Sequence, residues 1–147
     1  MLPPLNEQGL LPPGIHEGSF EEIREKFGSF QSSDQRPQLW SRLAEFIRAA
    51  KASSLIKEIV LNGSFVTAKP DPNDIDMIAV VAADHDFDAD LPPYQYNLLA
   101  ARRVRSRFGF DIVVVRNGSE QFNQAIEFFV QVRQKPGLRK GLLRIKL

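Results

Sequence analysis

The chain of 147 residues contains no cysteine. That excludes a disulfide framework and any thiolate metal site, and it is what a cytoplasmic protein is expected to show. Only two histidines are present, His16 and His85, and neither has a third nearby in sequence, so a zinc site is not expected. Charge of one sign is also missing. Nineteen Lys and Arg stand against 18 Asp and Glu, a net +1, so no global field points to nucleic acid or membrane and any basic site must be a local patch. No apolar run approaches the roughly 20 residues that cross a bilayer. The opening MLPPLNEQGLLPPG has no basic n-region and its prolines interrupt any apolar helix, so it is not expected to act as a signal peptide. No internal repeat and no low-complexity segment stands out.

What is present suits one domain with a real core. Residues 1–18 hold Pro3, Pro4, Pro12 and Pro13 and read as an extended arm with tight turns, packed by Leu5, Leu10, Leu11 and Ile15. The rest, 19–147, reads as a single folded domain. Ser19 with Glu22 three residues on has the pattern of a capping box, which opens a short helix over about 20–27 that ends at Gly28. Asp34 is placed to cap a second helix with Pro37 in its first turn. There Leu39, Leu43, Phe46, Ile47 and Ala50 recur at helical spacing over about 36–52. Strands are expected at 55–61, 75–82 and 110–115, and further helices at about 93–107 and 119–132. Phe65 to Lys69 reads as one helical turn stopped by Pro70 and Pro72, and Leu142 to Leu147 as a small edge strand. The continuous apolar run Met77-Ile78-Ala79-Val80-Val81 predicts burial on both faces of its strand. The first two strands are too closely linked for a long crossover. The expected fold is therefore α/β or α+β, a small mixed β-sheet flanked by helices.

One segment suggests a specific chemistry. Ile59-Val60-Leu61 leads into Asn62, Gly63 and Ser64, and Asp74-Ile75-Asp76 opens the next strand. Strand side chains alternate faces, so Asp74 and Asp76 are expected to point the same way. Two acids on one face, downstream of a Gly-Ser turn, suit a divalent metal and a phosphate. Hard Mg²⁺ takes carboxylate oxygens and keeps several waters, so two or three Asp side chains are enough protein ligand. Gly63 permits close backbone approach to a phosphate, and Ser64 offers a hydroxyl and an N–H.

The segment LNGSFVTAKPDPNDIDMIAVV resembles the signature of the nucleotidyltransferase (polymerase beta) superfamily, in particular its minimal bacterial members. The resemblance covers about residues 38–116. It implies a nucleotidyltransferase-like fold and Mg²⁺-dependent transfer (Mn²⁺ serving as well) of a nucleoside monophosphate from a nucleoside triphosphate to a hydroxyl of a protein, an RNA or a small molecule. It also implies a third carboxylate on a later strand, at Asp111 in FGFDIVVV. Asp74, Asp76 and Asp111 would then be the catalytic and metal-binding set, with Gly63, Ser64 and Lys69 at the nucleotide phosphates. Two departures stand out. Where many members carry Ala-Arg-Gly, this chain has Val66-Thr67-Ala68, so the phosphate grip is expected to be weaker or to come from Lys69. Nothing after residue 132 is large enough for a helical base-binding domain, so the expectation is either a partner chain that completes the site or a protein that has lost turnover. The alternative is a non-catalytic module of the same fold that binds a helical partner protein, as in toxin–antitoxin pairs, or RNA.

Weaker signals point elsewhere. Arg102, Arg103, Arg105 and Arg107 crowd one helix and read either as a patch for triphosphate or RNA or as a solvated face. Lys135, Arg139, Lys140, Arg144 and Lys146 give the tail basic character without interleaved aromatics. The run from Asp84 to Asp90 superficially resembles a calcium loop, but Ala89 stands where its glycine belongs and Gln95 where its glutamate belongs. Trp40, on the amphipathic second helix, reads as core.

Overall fold

The computed structural model describes residues 1–29, 33–132 and 135–147. Five strands form one mixed sheet: β1 (Ile15–Glu17), β2 (Ile56–Asn62), β3 (Asp76–Val81), β4 (Asp111–Arg116) and β5 (Leu142–Lys146), in the order β1-β5-β2-β3-β4. The pairs β1–β5 and β3–β4 are parallel, and β2 runs antiparallel to both β3 and β5. Helices α1 (Phe20–Phe27), α2 (Gln35–Ser53), α3 (Pro93–Leu99), α4 (Ala101–Phe108) and α5 (Glu120–Phe129) flank it, with a 3-10 turn at Ser64–Val66. The expected mixed sheet flanked by helices is therefore what the chain forms.

The sheet is apolar on both faces, so it is covered on both. The larger core joins Ile23 and Phe27 of α1, Leu39, Leu43, Phe46 and Ile47 of α2, Leu98 of α3, and Val104 and Phe108 of α4 to Ile59, Leu61, Met77 and Ala79 of the sheet. The alternate residues Val60, Ile78, Val80, Val115 and Leu142 face the other way, with Phe129 and Val130 at the end of α5. Apart from its first residue, β3 is buried throughout, as its unbroken apolar run predicts. Ser19 and Glu22 form the capping box in full at the start of α1.

Four local expectations are corrected. The segment 142–147 does not lie at an edge: β1, from the N-terminal arm, pairs along its far side, and Leu11 of the same arm is buried in the core. The adjacent buried pair Leu142 and Leu143, one on each face, records that position. The helix expected over 93–107 is two helices, broken where Ala100 turns extended at φ −83°, ψ 114°. At 3.6 residues per turn, Leu98 and Val104 would sit about 120° apart on a straight helix. The break resets the phase so that both are buried, and it leaves Ala101 exposed. The helix expected over 119–132 stops at Phe129. At the start of α2, the Asp34 carboxylate accepts from Gln38 Nε2 and makes no side-chain cap.

Arg36 lies on the buried stripe of α2, only 3% exposed. Its Nη1 donates to Phe27 O at 3.2 Å and to Phe65 O at 2.7 Å. Its Nη2 donates to Thr67 O at 2.6 Å and to Lys69 O at 2.5 Å. Burial pushes the guanidinium below its ordinary pKa, but arginine stays charged at any physiological pH. This one side chain ties the end of α1 and the whole 65–69 segment to α2. Replacing Arg36 with Met keeps apolar bulk but strands those carbonyls. The expected loss is on the order of 3 kcal/mol in urea unfolding, and Arg36→Lys is expected to recover only part of it, because an ammonium lacks the planar fork.

Candidate functional site

On the α5 face the sheet is apolar only where α5 covers it. Beyond Phe129 the residues on that face become polar. Asn62 at the end of β2 pairs with Asp76 at the start of β3, and Asp76 pairs with Asp111 at the start of β4. Side chains that are direct partners across a sheet lie on the same face. Asn62, Asp76 and Asp111 thus form a lateral row across three strands. The row floors a hollow of about 1090 Å³. Gly63, Ser64, Thr67 and Asp74 line one side of it, and Phe128, Val132, Lys135, Leu138, Arg139 and Lys140 another. The three carboxylates singled out in the sequence therefore share one hollow with Ser64.

The loop between β2 and β3 is held by its own hydrogen bonds. Ser64 N–H donates to Asp74 Oδ1 at 3.0 Å, and Ser64 Oγ donates to the same oxygen. Ser64 Oγ in turn accepts from the N–H groups of Asn73 and Asp74 at 3.1 and 3.3 Å, and Phe65 N–H donates to Asp74 O at 3.2 Å. Gly63 has φ +99°, and a Cβ there would come within 2.9 Å of Asp74 O. Glycine is needed at this position because the loop closes on its own backbone.

The charges have defined surroundings. Burial works to raise the Asp74 pKa, but the two hydrogen bonds from Ser64 and the charges of Lys69 and Lys140 outweigh it, so the carboxyl ionises below its usual range. Asp111 meets Arg105 Nη1 of α4 at 3.1 Å, with both side chains exposed. Arg139 grips Glu127 through both Nη atoms, at 2.9 and 3.1 Å. Lys69 is not among the lining residues. Its carbonyl accepts from Arg36, and its N–H donates to Thr67 Oγ1 at 3.2 Å. Among the described residues, no three His, Asp or Glu side chains already converge as a cation cage. One oxygen of Asp74 is engaged by Ser64, and one of Asp111 by Arg105. No helix among them is long and apolar enough to cross a membrane.

A family model matches residues 3–146, nearly the whole chain. The chain belongs to DUF6932, a family of unknown function. No curated protein and no solved structure matches it. The match spans the arm as well as the sheet, so this DUF6932 chain is one family unit from β1 to β5.

Several features of this DUF6932 site were not singled out from the sequence. Asn62 is 7% exposed and sits in the floor, and the signal for it was a polar residue ending an apolar strand. Arg36 carried a similar signal, a charge in phase with Leu39, Leu43 and Ile47. Phe128 and Val113, 69% and 44% exposed, give the hollow an apolar wall, and only the end of α5 and the edge position of β4 explain them. Lys135 and Lys140 belonged to a basic tail in the sequence, and the return of the chain from α5 to β5 brings them to the hollow.

The depressed Asp74 pKa fixes a pH dependence. A carboxyl with a lowered folded pKa adds stability above its unfolded value, about 3.9, and that stability is lost as pH falls through the folded value. Asp74→Asn keeps an acceptor oxygen but not the charge. In urea unfolding the variant is expected to be less stable than wild type near neutrality and to match it once pH lies below the carboxylate range. A gap that stays constant with pH would show that the charge of Asp74 plays no part.

Proposed function

We propose that this chain is a Mg²⁺-dependent nucleotidyltransferase that moves a nucleoside monophosphate from a nucleoside triphosphate to a hydroxyl of a protein, an RNA or a small molecule. The observation that carries this reading is the lateral pairing of Asp76 with Asp111 in the floor of a hollow that also holds Asp74 and Ser64. The donors suit Mg²⁺, which needs only one or two carboxylates when waters and phosphate oxygens fill its other positions. Bound there, Mg²⁺ would supply charge stabilisation at the attacking and departing oxygens. In the transfer the acceptor hydroxyl oxygen bonds to the α-phosphorus, the bond from that phosphorus to the bridging oxygen breaks, and pyrophosphate leaves. Asp111, the outermost acid of the row, orients the hydroxyl and takes its proton once Arg105 releases it. Lys135 and Lys140 offer positive charge to the phosphates, and Phe128 with Val113 offers an apolar surface to the base. A cytoplasmic location fits a triphosphate substrate.

A second reading is a non-catalytic module that binds a helical partner protein. The exposed apolar wall of Phe128 and Val113 and the engagement of Asp111 by Arg105 favour it. An RNA-binding surface on α4 has less support, because Arg105 and Arg107 are paired with Asp111 and Glu45.

The test is incubation with each α-labelled nucleoside triphosphate, Mg²⁺ and cell lysate, with wild type beside Asp76→Asn. Wild type is expected to label an acceptor, and to gain thermal stability only when metal and triphosphate are both present. Asp76→Asn is expected to lose labelling by orders of magnitude, and to lose the gain in thermal stability from metal with triphosphate. A variant that melts well below wild type yet keeps nucleotide affinity would make Asp76 structural and sink the catalytic assignment.

A further inference from the structure

The two edges of the sheet are unlike. β1 is three residues long and includes His16 and Glu17. β4 is six residues long, its pairing with β3 runs without a bulge from Asp111 to Arg116, and Ile112-Val113-Val114-Val115 is an unbroken β-branched run. Natural sheets blunt an edge with Lys, Pro, a bulge or extreme shortness. β1 has the last of these, and β4 has none of the four. One bond shows which way the backbone groups of β4 point. Asn117 N–H donates to Val81 O of β3. Backbone groups alternate sides along a strand, and the register is unbroken, so the N–H and C=O of Val113 and Val115 also face β3. Those of Ile112, Val114 and Arg116 face the open side, and among the described residues no strand follows there. Of these groups, Arg116 O accepts from Ser119 N–H. Val113, on the same edge, is 44% exposed.

We propose that β4 is a dimerisation edge: it pairs antiparallel with β4 of a second copy of this chain, about a two-fold axis through Val114 and perpendicular to the sheet, so that two five-stranded sheets join into one. A second copy is the occupant because the strand complements itself. Opposed residues of antiparallel strands lie on one face, so a two-fold pair places one residue opposite its own copy. The outward residues Ile112, Val114 and Arg116 are symmetric about Val114, and this register pairs all three. Val114 bonds to the partner's Val114, Ile112 to the partner's Arg116, and Arg116 to the partner's Ile112. A carbonyl has two lone pairs, so Arg116 O takes the new bond beside the one from Ser119. Val113 then meets the partner's Val115, and Asp111 meets the exposed amide of the partner's Asn117. The acidic start of each strand lies beside the basic end of the other, and no like charges oppose, whereas parallel addition would set like beside like. The axis leaves both hollows on the same face of the joined sheet. This pairing goes beyond the transfer reading and neither needs nor supplies nucleotide chemistry.

The experiment is sedimentation velocity on the full chain from micromolar to millimolar concentration. Wild type is expected to run at twice the mass of the chain. Val113→Lys, at an exposed position, puts a charge into the pairing and is expected to raise the dissociation constant by about 10-fold or more. Val114→Pro removes an outward N–H that the β3 ladder does not use, and the same shift is expected. Far-ultraviolet circular dichroism checks that both variants fold. Because the chain has no cysteine, a single introduced one reports alone. Val113→Cys is expected to cross-link to its copy through a short bismaleimide, and Ile15→Cys, on the other edge, is not. Wild type that stays monomeric throughout, a dimer that both substitutions leave intact, or cross-linking of Ile15→Cys rather than Val113→Cys overturns the proposal. Should the two substitutions disagree or fail to fold, the cysteine variants decide.

Discussion

The Arg36 guanidinium, buried among backbone carbonyls, is the interaction on which the site depends. Segment 65–69 leaves the sheet straight after β2 and contains only a single 3-10 turn. It has little regular hydrogen bonding of its own, and its carbonyls would otherwise need water. Arg36 satisfies three of them at once, together with the last carbonyl of α1. A lysine would point one ammonium at one place, whereas the planar fork holds several acceptors in a fixed relation. The Phe65 ring lies 5.7 Å from the same guanidinium, so the charge is also faced by a π-surface. With the 65–69 segment fixed from behind, Ser64 and Asp74 in front can be held from one side only.

That front side is a short circuit of hydrogen bonds closed at Gly63. Ser64 and Asp74 bond to each other through side chain and backbone, and Gly63 supplies the backbone geometry that lets the two ends meet. The result is a strap that sets the height of one wall above the strand row. The opposite wall comes from the return of the chain between α5 and β5, where Lys140 N–H donates to Val130 O at 2.9 Å and Gln131 bridges Arg139. The hollow is what remains where α5 ends one turn short of covering the sheet.

Much of this was legible in the sequence, and the parts that were not share a cause. Local patterns located α1, α2 and α5, strands β2, β3 and β4, and the helical stretch that forms α3 and α4. The buried run of β3 and the mixed sheet followed from the same patterns. Asp76 and Asp111 were legible as acids at strand starts, and their meeting needed only adjacent strands in register, whereas Asp74 lies in the loop before β3 and is brought to the hollow by Ser64. The break at Ala100 was not legible, because Leu98, Val104 and Phe108 recur at a spacing that one unbroken helix also satisfies. The interior place of β5 depends on a partner from the far end of the chain, which no local pattern reveals. Lys69, which the resemblance places at the phosphates, gives its backbone to the Arg36 clamp while its charge acts on Asp74, and neither contact was legible in the sequence. The paired states of Asp74 and Asp111 were equally out of reach, since Ser64 and Arg105 meet them only in three dimensions.

The polar row runs against what stability alone would select. Val60, Ile78 and Val115 lie on the same face as Asn62, Asp76 and Asp111, and they are buried. Extending that apolar surface by one more row, under one more turn of α5, would bury further area at about 25 cal/mol per Å². Instead the chain ends α5 early, sets two acids side by side, Asp111 with Arg105 as its counter-ion, and leaves the Asn62 amide oxygen without a donor among the described residues. Like charges in register across strands are destabilising, and so is an unmade buried acceptor. Proteins retain such costs where a ligand offsets them, and local rules fail together at functional sites more often than elsewhere. Here two such departures fall on the cross-strand row of Asn62, Asp76 and Asp111, behind a strap fixed by Arg36 and Gly63. Packing of the core does not call for this row, and that is why the hollow is the candidate site.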